Sequence, residues 1–302
     1  MLRSTHYPGS VTPPPGPRPV PTALTAVLDL LRCPRCGEHL NEAEGSLRCP
    51  SRHTYDVARG GYASLLTGVA PTSGDDDEMA RARDRFLGSG AYAPIREAIA
   101  AMVGVPGSAP DPTVLDVGCG TGYYLAGVLD ALTGARGLGL DTSTRALRFA
   151  ARAHERAAAA SWDVFAPFPL ADDSVDVLLD VFAPRNPEQF ARVLRPDGLL
   201  VVVRPTSRHL AELLTQVPGS IGVDPAKEER LHRALDPFFE EVREELVEDE
   251  IALTREQARD LIAMTPSARH TKATGQDSDA AAPEPALTTT MSVLVSAYRR
   301  RT

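Results

Sequence analysis

Short apolar runs alternate with polar, helix-period stretches through the middle of this chain, and the alternation predicts its architecture. Val114–Val117 is a run of strand type, and an amphipathic helix begins near Tyr123. A second strand, "GLGLD", ends at Asp141. "SWDVFAPFPLADDSVDVLLDVFAP" reads as strand, polar loop and strand, with Asp163 closing the third strand and "VDVLLDVF" forming the fourth. "EQFARVLRPDGLLVVVRP" gives a helix, a Pro-Asp-Gly turn and a fifth strand, and "LTTTMSVLVSAY" supplies the last. Such alternation implies a doubly wound α/β sheet, whose ligands bind outside the carboxyl ends of its strands.

The flanks differ. Residues 8–21 are rich in Pro and Gly, so residues 1–27 are expected to form a disordered leader. Residues 28–66 hold three of the four cysteines, residues 67–100 read as linker and helix, and residues 101–302 carry the sheet. The polar stretch "TGQDSDAAAPEPA" before the last strand is linker-like. No run approaches the ~18 apolar residues that span a bilayer, and the cysteine distribution suits a reducing cytosol better than a disulfide framework. A cytoplasmic protein without membrane or DNA partners is expected, and a homodimer stays open. The net charge of −8 gives no general attraction to nucleic acid. Any such role must rest on local basic patches: Arg32, Arg35, Arg48, Arg52 and Arg59, then Arg81, Arg83 and Arg85, with Arg81 and Arg85 on one helix face.

Cys33 and Cys36 form C-x2-C, and Cys49 and His53 form C-x3-H after twelve intervening residues. Each pair has a proline directly after its first cysteine, and a hairpin turn is expected across Asn41 to Gly45. Two matched pairs of soft ligands point to a Cys3His zinc ribbon, with a closed structural site. His39 is the competing ligand, and a disulfide or redox pair is the competing chemistry.

Gly118, Gly120 and Gly122 follow the first strand as G-x-G-x-G, where glycines admit a ligand close to the backbone at a helix N-terminus. Asp116 precedes the loop and Asp141 closes the second strand, placed for a ribose diol. The spacing differs from the dinucleotide G-x-G-x-x-G pattern.

"VLDVGCGTGYY", "GLDTS", the Asp163 region and "RVLRPDGLLVVV" together resemble the motifs of class I S-adenosylmethionine methyltransferases. The fold that follows is a Rossmann-like seven-stranded α/β sheet preceded by the ribbon. "CPSRHTYDVARGGYASLL", "GDDDEMARARDRFLGSGAYAPIREAI", "RPTSRHLAEL" and "AMTPSAR" narrow the resemblance to the RlmA family, including its tylosin-resistance members. That resemblance implies methyl transfer from S-adenosyl-L-methionine to N1 of a guanine in a hairpin of large-subunit ribosomal RNA, with macrolide resistance as a consequence. It implies zinc on Cys33, Cys36, Cys49 and His53. Cofactor contacts fall on Tyr92, Gly120, Thr121 and His209, with Gly118 and Gly122 in the loop. Asp116 would hold the ammonium through the loop backbone, Asp141 the ribose, and the Asp163 region the adenine. Asp180, closing the fourth strand, is the candidate acceptor for the guanine proton. A small-molecule methyltransferase with a structural ribbon stays open, as does an inactive protein-docking module, although the intact "DVGCGTG" argues against the latter.

Overall fold

The computed structural model describes residues 19–66, 68, 75–104, 111–216, 230, 233–264 and 287–301. The leader's residues 1–18, the 274–286 insert and most of "AMTPSAR" lie outside them. Residues 19–27 depart from the expected leader. They carry a one-turn helix, α1 (Thr22–Thr25), and Leu24 and Val27 are fully buried. Apolar side chains in "TALTAVLDLL" have a core to enter, and that burial outweighs the proline-rich approach.

The ribbon follows as three antiparallel strands, β1 (Asn41–Ala43), β2 (Ser46–Arg48) and β3 (Thr54–Asp56). Glu44 and Gly45 both take positive φ, 51° and 78°, as a two-residue hairpin turn requires. The turn is therefore tighter than expected, with Asn41 and Glu42 already in strand. Two helices, α2 (Asp77–Gly88) and α3 (Ala93–Val103), occupy the stretch expected to hold a linker and one helix. Asp76 caps α2 by accepting from Met79 N at 2.9 Å.

The remaining elements are β4 (Thr113–Val117), α4 (Tyr123–Ala131), β5 (Arg136–Asp141), α5 (Leu147–Ala150), β6 (Ala157–Ser161), β7 (Val175–Val181), α6 (Pro187–Val193), β8 (Leu194–Pro205), α7 (Ala211–Gln216), β9 (Phe239–Leu253), α8 (Arg255–Ala263) and β10 (Leu287–Arg300). They build a seven-stranded sheet in the order β6-β5-β4-β7-β8-β10-β9. The first five are parallel, and β10 inserts antiparallel between β8 and β9. Two expectations shift, and one strand was not anticipated. The third strand is the run Ala157–Ser161, two residues short of Asp163, and all five of its residues are buried. Pro196, Asp197 and Gly198 form no turn but an irregularity inside β8, since Val175 pairs Leu194 while Val177 pairs Leu199. Among the described residues, the glutamate-rich β9 is an edge strand paired on one side only.

One hydrophobic cluster runs from α1 and the ribbon (Leu24, Leu31, Leu47, Tyr55, Leu65) into one face of the sheet (Leu115, Leu138, Phe168). The ribbon is thus continuous with the core. Its tail is stitched to the β6 edge, where Ala63 N donates to Ala159 O and Ser161 N to Ala63 O, both at 2.9 Å. That pairing covers an otherwise open sheet edge. The opposite face packs against α3, α4 and α8.

Candidate active site and metal centre

The glycine loop leaves β4 under close constraint. Gly118 N and Cys119 N both donate to Leu140 O, at 2.8 and 3.1 Å, pinning the loop to β5. Gly118, Gly120 and Gly122 have φ of 72°, 53° and 79°. A Cβ on Gly118 would sit 2.6 Å from the Ala183 Cβ, and one on Gly122 would sit 2.9 Å from Ala150 Cα. Only glycine fits there. Thr121 is buried beside them.

Acids converge on this floor. Asp141 Oδ2 accepts from Gly120 N at 2.9 Å and Oδ1 from Ser143 N at 2.7 Å. Asp116 is 1% exposed, and among the described residues its Oδ2 has no hydrogen-bond partner. Burial, reinforced by Asp141 and Asp180, pushes its carboxyl up to about 8. Asp163 is half-buried beyond β6 and accepts from Phe165 N at 3.0 Å. An orphaned buried carboxylate oxygen beside a glycine-floored loop suits a cationic ligand, and S-adenosylmethionine carries both an ammonium and a sulfonium. The donor set fits that cofactor.

Arg83, read from sequence as part of an RNA grip, points inward instead. Its Cδ lies 3.3 Å from where a Gly120 Cβ would be. Its guanidinium bonds Asp75 at 2.6 Å and Met264 O at 3.0 Å. Asp75 O in turn accepts from Ser143 Oγ at 2.7 Å, tying the start of α2 to the end of β5. The other two arginines of that group are also engaged: Arg81 pairs Asp77 at 2.5 Å and Arg85 pairs Asp260 at 2.6 Å.

Tyr92 and His209, predicted separately, are in contact. His209 Nδ1 accepts from Ser292 N at 3.1 Å, so the neutral ring carries its proton on Nε2 and donates it to Tyr92 Oη, 3.1 Å away. Burial pushes His209 down to about 4, which keeps the ring neutral, and burial raises the Tyr92 phenol. Phe182 was missed. It follows β7 with φ +55° and stacks on His209, ring centroids 5.9 Å apart. A positive φ costs a bulky residue ~1–3 kcal/mol. Asp180, fully buried two residues earlier, lies 3.2 Å from Arg185 Nε.

At the ribbon, the ligand atoms of Cys33, Cys36, Cys49 and His53 lie within 4.8 Å of one another. Cys36 and Cys49 sulfurs are 3.6 Å apart, and His53 Nδ1 is 3.4 Å from the sulfurs of both Cys33 and Cys49. Tetrahedral zinc with ~2.3 Å bonds to sulfur needs edges of about 3.8 Å, so the set fits zinc with Nδ1 as the histidine ligand. His39 is outside this group, its backbone bridging Arg32. Tyr55 Oη, 3.2 Å from the Cys33 sulfur, orients that ligand from behind.

A basic cavity of about 320 Å³ lies beside Thr121, lined by Arg81, Arg145, Arg148, Arg152, Phe149 and the acids Asp77 and Asp84. Arg145 pairs Asp77 at 3.1 Å. Arg148 reaches the ribbon's tail, its Cγ 2.8 Å from where a Gly60 Cβ would be. The spacing of Arg145, Arg148 and Arg152, three then four residues, was the overlooked sequence signal.

Sheet order, glycine loop and acids define a class I S-adenosylmethionine-dependent methyltransferase carrying a Cys3His zinc ribbon. Residues 31–68 match the family model described as RlmA, N-terminal, and residues 114–198 match a methyltransferase domain model. Over 291 residues the chain is 45% identical to a putative 23S rRNA (guanine-N(1)-)-methyltransferase of Micromonospora griseorubida, covering 90% of this chain and 98% of the relative. It is 44% identical to the 23S rRNA (guanine(748)-N(1))-methyltransferase of Streptomyces fradiae, covering 81% and 87%. A putative 23S rRNA (guanine-N(1)-)-methyltransferase from Bacillus subtilis is 38% identical, covering 63% and 69%. The chain belongs to the RlmA family.

Proposed function

We propose that this protein methylates N1 of a guanine in a large-subunit ribosomal RNA hairpin, in the cytoplasm. Among the described residues, no helix is long and apolar enough to cross a membrane. The observation that carries the RNA reading is the basic cavity, which joins the ribbon's tail to the cofactor loop in a chain of net charge −8. Arg148 and Arg152 are placed to take RNA phosphates there, while the acids around it disfavour other anionic surfaces. Arg52, exposed at the second zinc knuckle, would extend the contact along the hairpin.

When bound, S-adenosylmethionine supplies an electrophilic methyl group. The chain's own residues then have three tasks. Asp116, Gly118, Gly120, Thr121, Gly122 and Asp141 hold and orient the cofactor, and Asp163 borders its adenine end. Tyr92 and His209 close one wall and exclude water. Guanine N1 bears a proton near neutral pH, and Asp180, oriented by Arg185, receives it at its carboxylate. Primer extension tests the reading. The purified enzyme, given cofactor and a ribosomal hairpin, should create a strong stop at one guanine, because a methyl on N1 blocks base pairing. Methylation confined to small metabolites would refute it.

A further inference from the structure

Two aromatic side chains are notably exposed among the described residues, Phe165 at 68% and Phe182 at 40%. Both lie past the carboxyl ends of sheet strands, but only Phe182 is held in place. Its backbone takes the left-handed conformation, φ +55°, which a bulky residue adopts only under constraint. The constraint is visible on both sides. Phe182 N donates to Val203 O at 3.2 Å, and Ala183 presses on the glycine loop, 2.6 Å from a Gly118 Cβ position. The ring is braced by His209, stacked at 5.9 Å and 28°, and by Tyr92 and Tyr124 at 6.5 and 6.4 Å. His209 is itself fixed by Ser292 and Tyr92. Phe182 therefore presents an apolar surface to solvent from a rigid mount, two residues from Asp180 and against the loop that binds the cofactor.

We propose that Phe182 is the platform on which the target purine stacks, making this corner of the cleft the base-binding subsite. The inference rests on RNA being the substrate. N1 lies on the Watson–Crick edge, so a guanine must be unpaired before that atom can meet a methyl donor. An extruded base loses its stacking neighbours, and a braced aromatic face replaces them. Stacking tolerates any base, so Phe182 contributes affinity and alignment rather than choice of guanine. The strain is then a cost of function, retained because it aims the ring outward from the end of β7.

The test is a cycle between protein and RNA. The methylated guanine is first mapped with wild-type enzyme by primer extension, and a second hairpin is made with an abasic site at that position. Phe182→Ala should bind the intact hairpin roughly 5- to 150-fold more weakly than wild type. Both proteins should bind the abasic hairpin equally. Phe182→Leu keeps the bulk without a flat face and should fail like alanine, whereas Phe182→Trp should hold single-turnover methylation within about threefold of wild type, since any flat aromatic face supports base stacking. Cofactor affinity by calorimetry should be unchanged throughout, which excludes a collapsed cleft. Equal losses on both hairpins, or rescue by leucine, would overturn the subsite while leaving RNA methylation intact. No methylation of any hairpin by wild type would overturn both.

Discussion

Replacing Asp116 by asparagine should stabilise the cofactor-free protein and weaken cofactor binding, and the first effect should depend on pH. Asp116 rises from an ordinary 3.8 to about 8, chiefly by burial. Between those values the unfolded chain releases the proton while the folded chain keeps it. The folded state then binds more protons, so stability falls as pH rises through the window. Each unit corresponds to about 1.4 kcal/mol, giving a penalty of roughly 4 kcal/mol at pH 7 that is absent near pH 4 and levels off above pH 8. Asparagine preserves the shape and removes the ionisation. Urea denaturation of both proteins at pH 5, 6, 7 and 8 should show their stabilities separating progressively with pH. Titration calorimetry at pH 7 in buffers of differing ionisation enthalpy should show wild type releasing protons when the cationic cofactor binds, with none released by Asp116→Asn. A stability difference that stays constant from pH 5 to 8 would refute the assignment of Asp116 as a buried counter-charge.

Cys49→Ala should abolish binding of about one zinc per chain by elemental analysis. Because the ribbon shares the sheet's hydrophobic cluster, it should also lower the thermal midpoint of the whole protein; an unchanged midpoint would show the ribbon to be energetically separate. Glutamate at Arg52 and at Arg148 should weaken hairpin binding and flatten its dependence on log salt by about 0.7–0.9 per lost phosphate contact, with cofactor affinity nearly unchanged. His209, depressed from 6.5 to about 4, contributes stability fully present above pH 6.5 and lost as pH falls toward 4, on the order of 3 kcal/mol. His209→Gln should remove that acid-side slope in denaturation experiments, and a wild-type curve already flat from pH 4 to 6.5 would count against it.

The parallel half of the sheet was legible because its strands are apolar runs ending in turn signals, and the zinc ligands because soft residues recur at matched spacing. The β6 strand was misplaced because four alanines carry little strand propensity; full burial between neighbours decides it. The glutamates of β9 hid an edge strand whose outer side faces water. Arg83 was assigned to the wrong surface because a one-dimensional cluster of arginines cannot show which side of α2 faces the cleft. Phe182 left no sequence signal, since its role depends on a backbone angle and on His209 arriving from beyond β8. Tyr92 and His209 are 117 residues apart, and only the fold makes them a pair.

The stitching of Ala63 to Ala159 and Ser161 also bears on how the protein is made. All four zinc ligands have been synthesised by residue 53, so the ribbon can bind its ion early. Its docking surfaces, around β6 and Leu170, are encoded roughly a hundred residues later. At ~5–20 residues per second, the ribbon waits about 5–20 s on the ribosome with Leu31, Ala63 and Leu65 uncovered. Metal capture can restrain the nascent segment during that interval, but only translation of β6 gives it a place to settle.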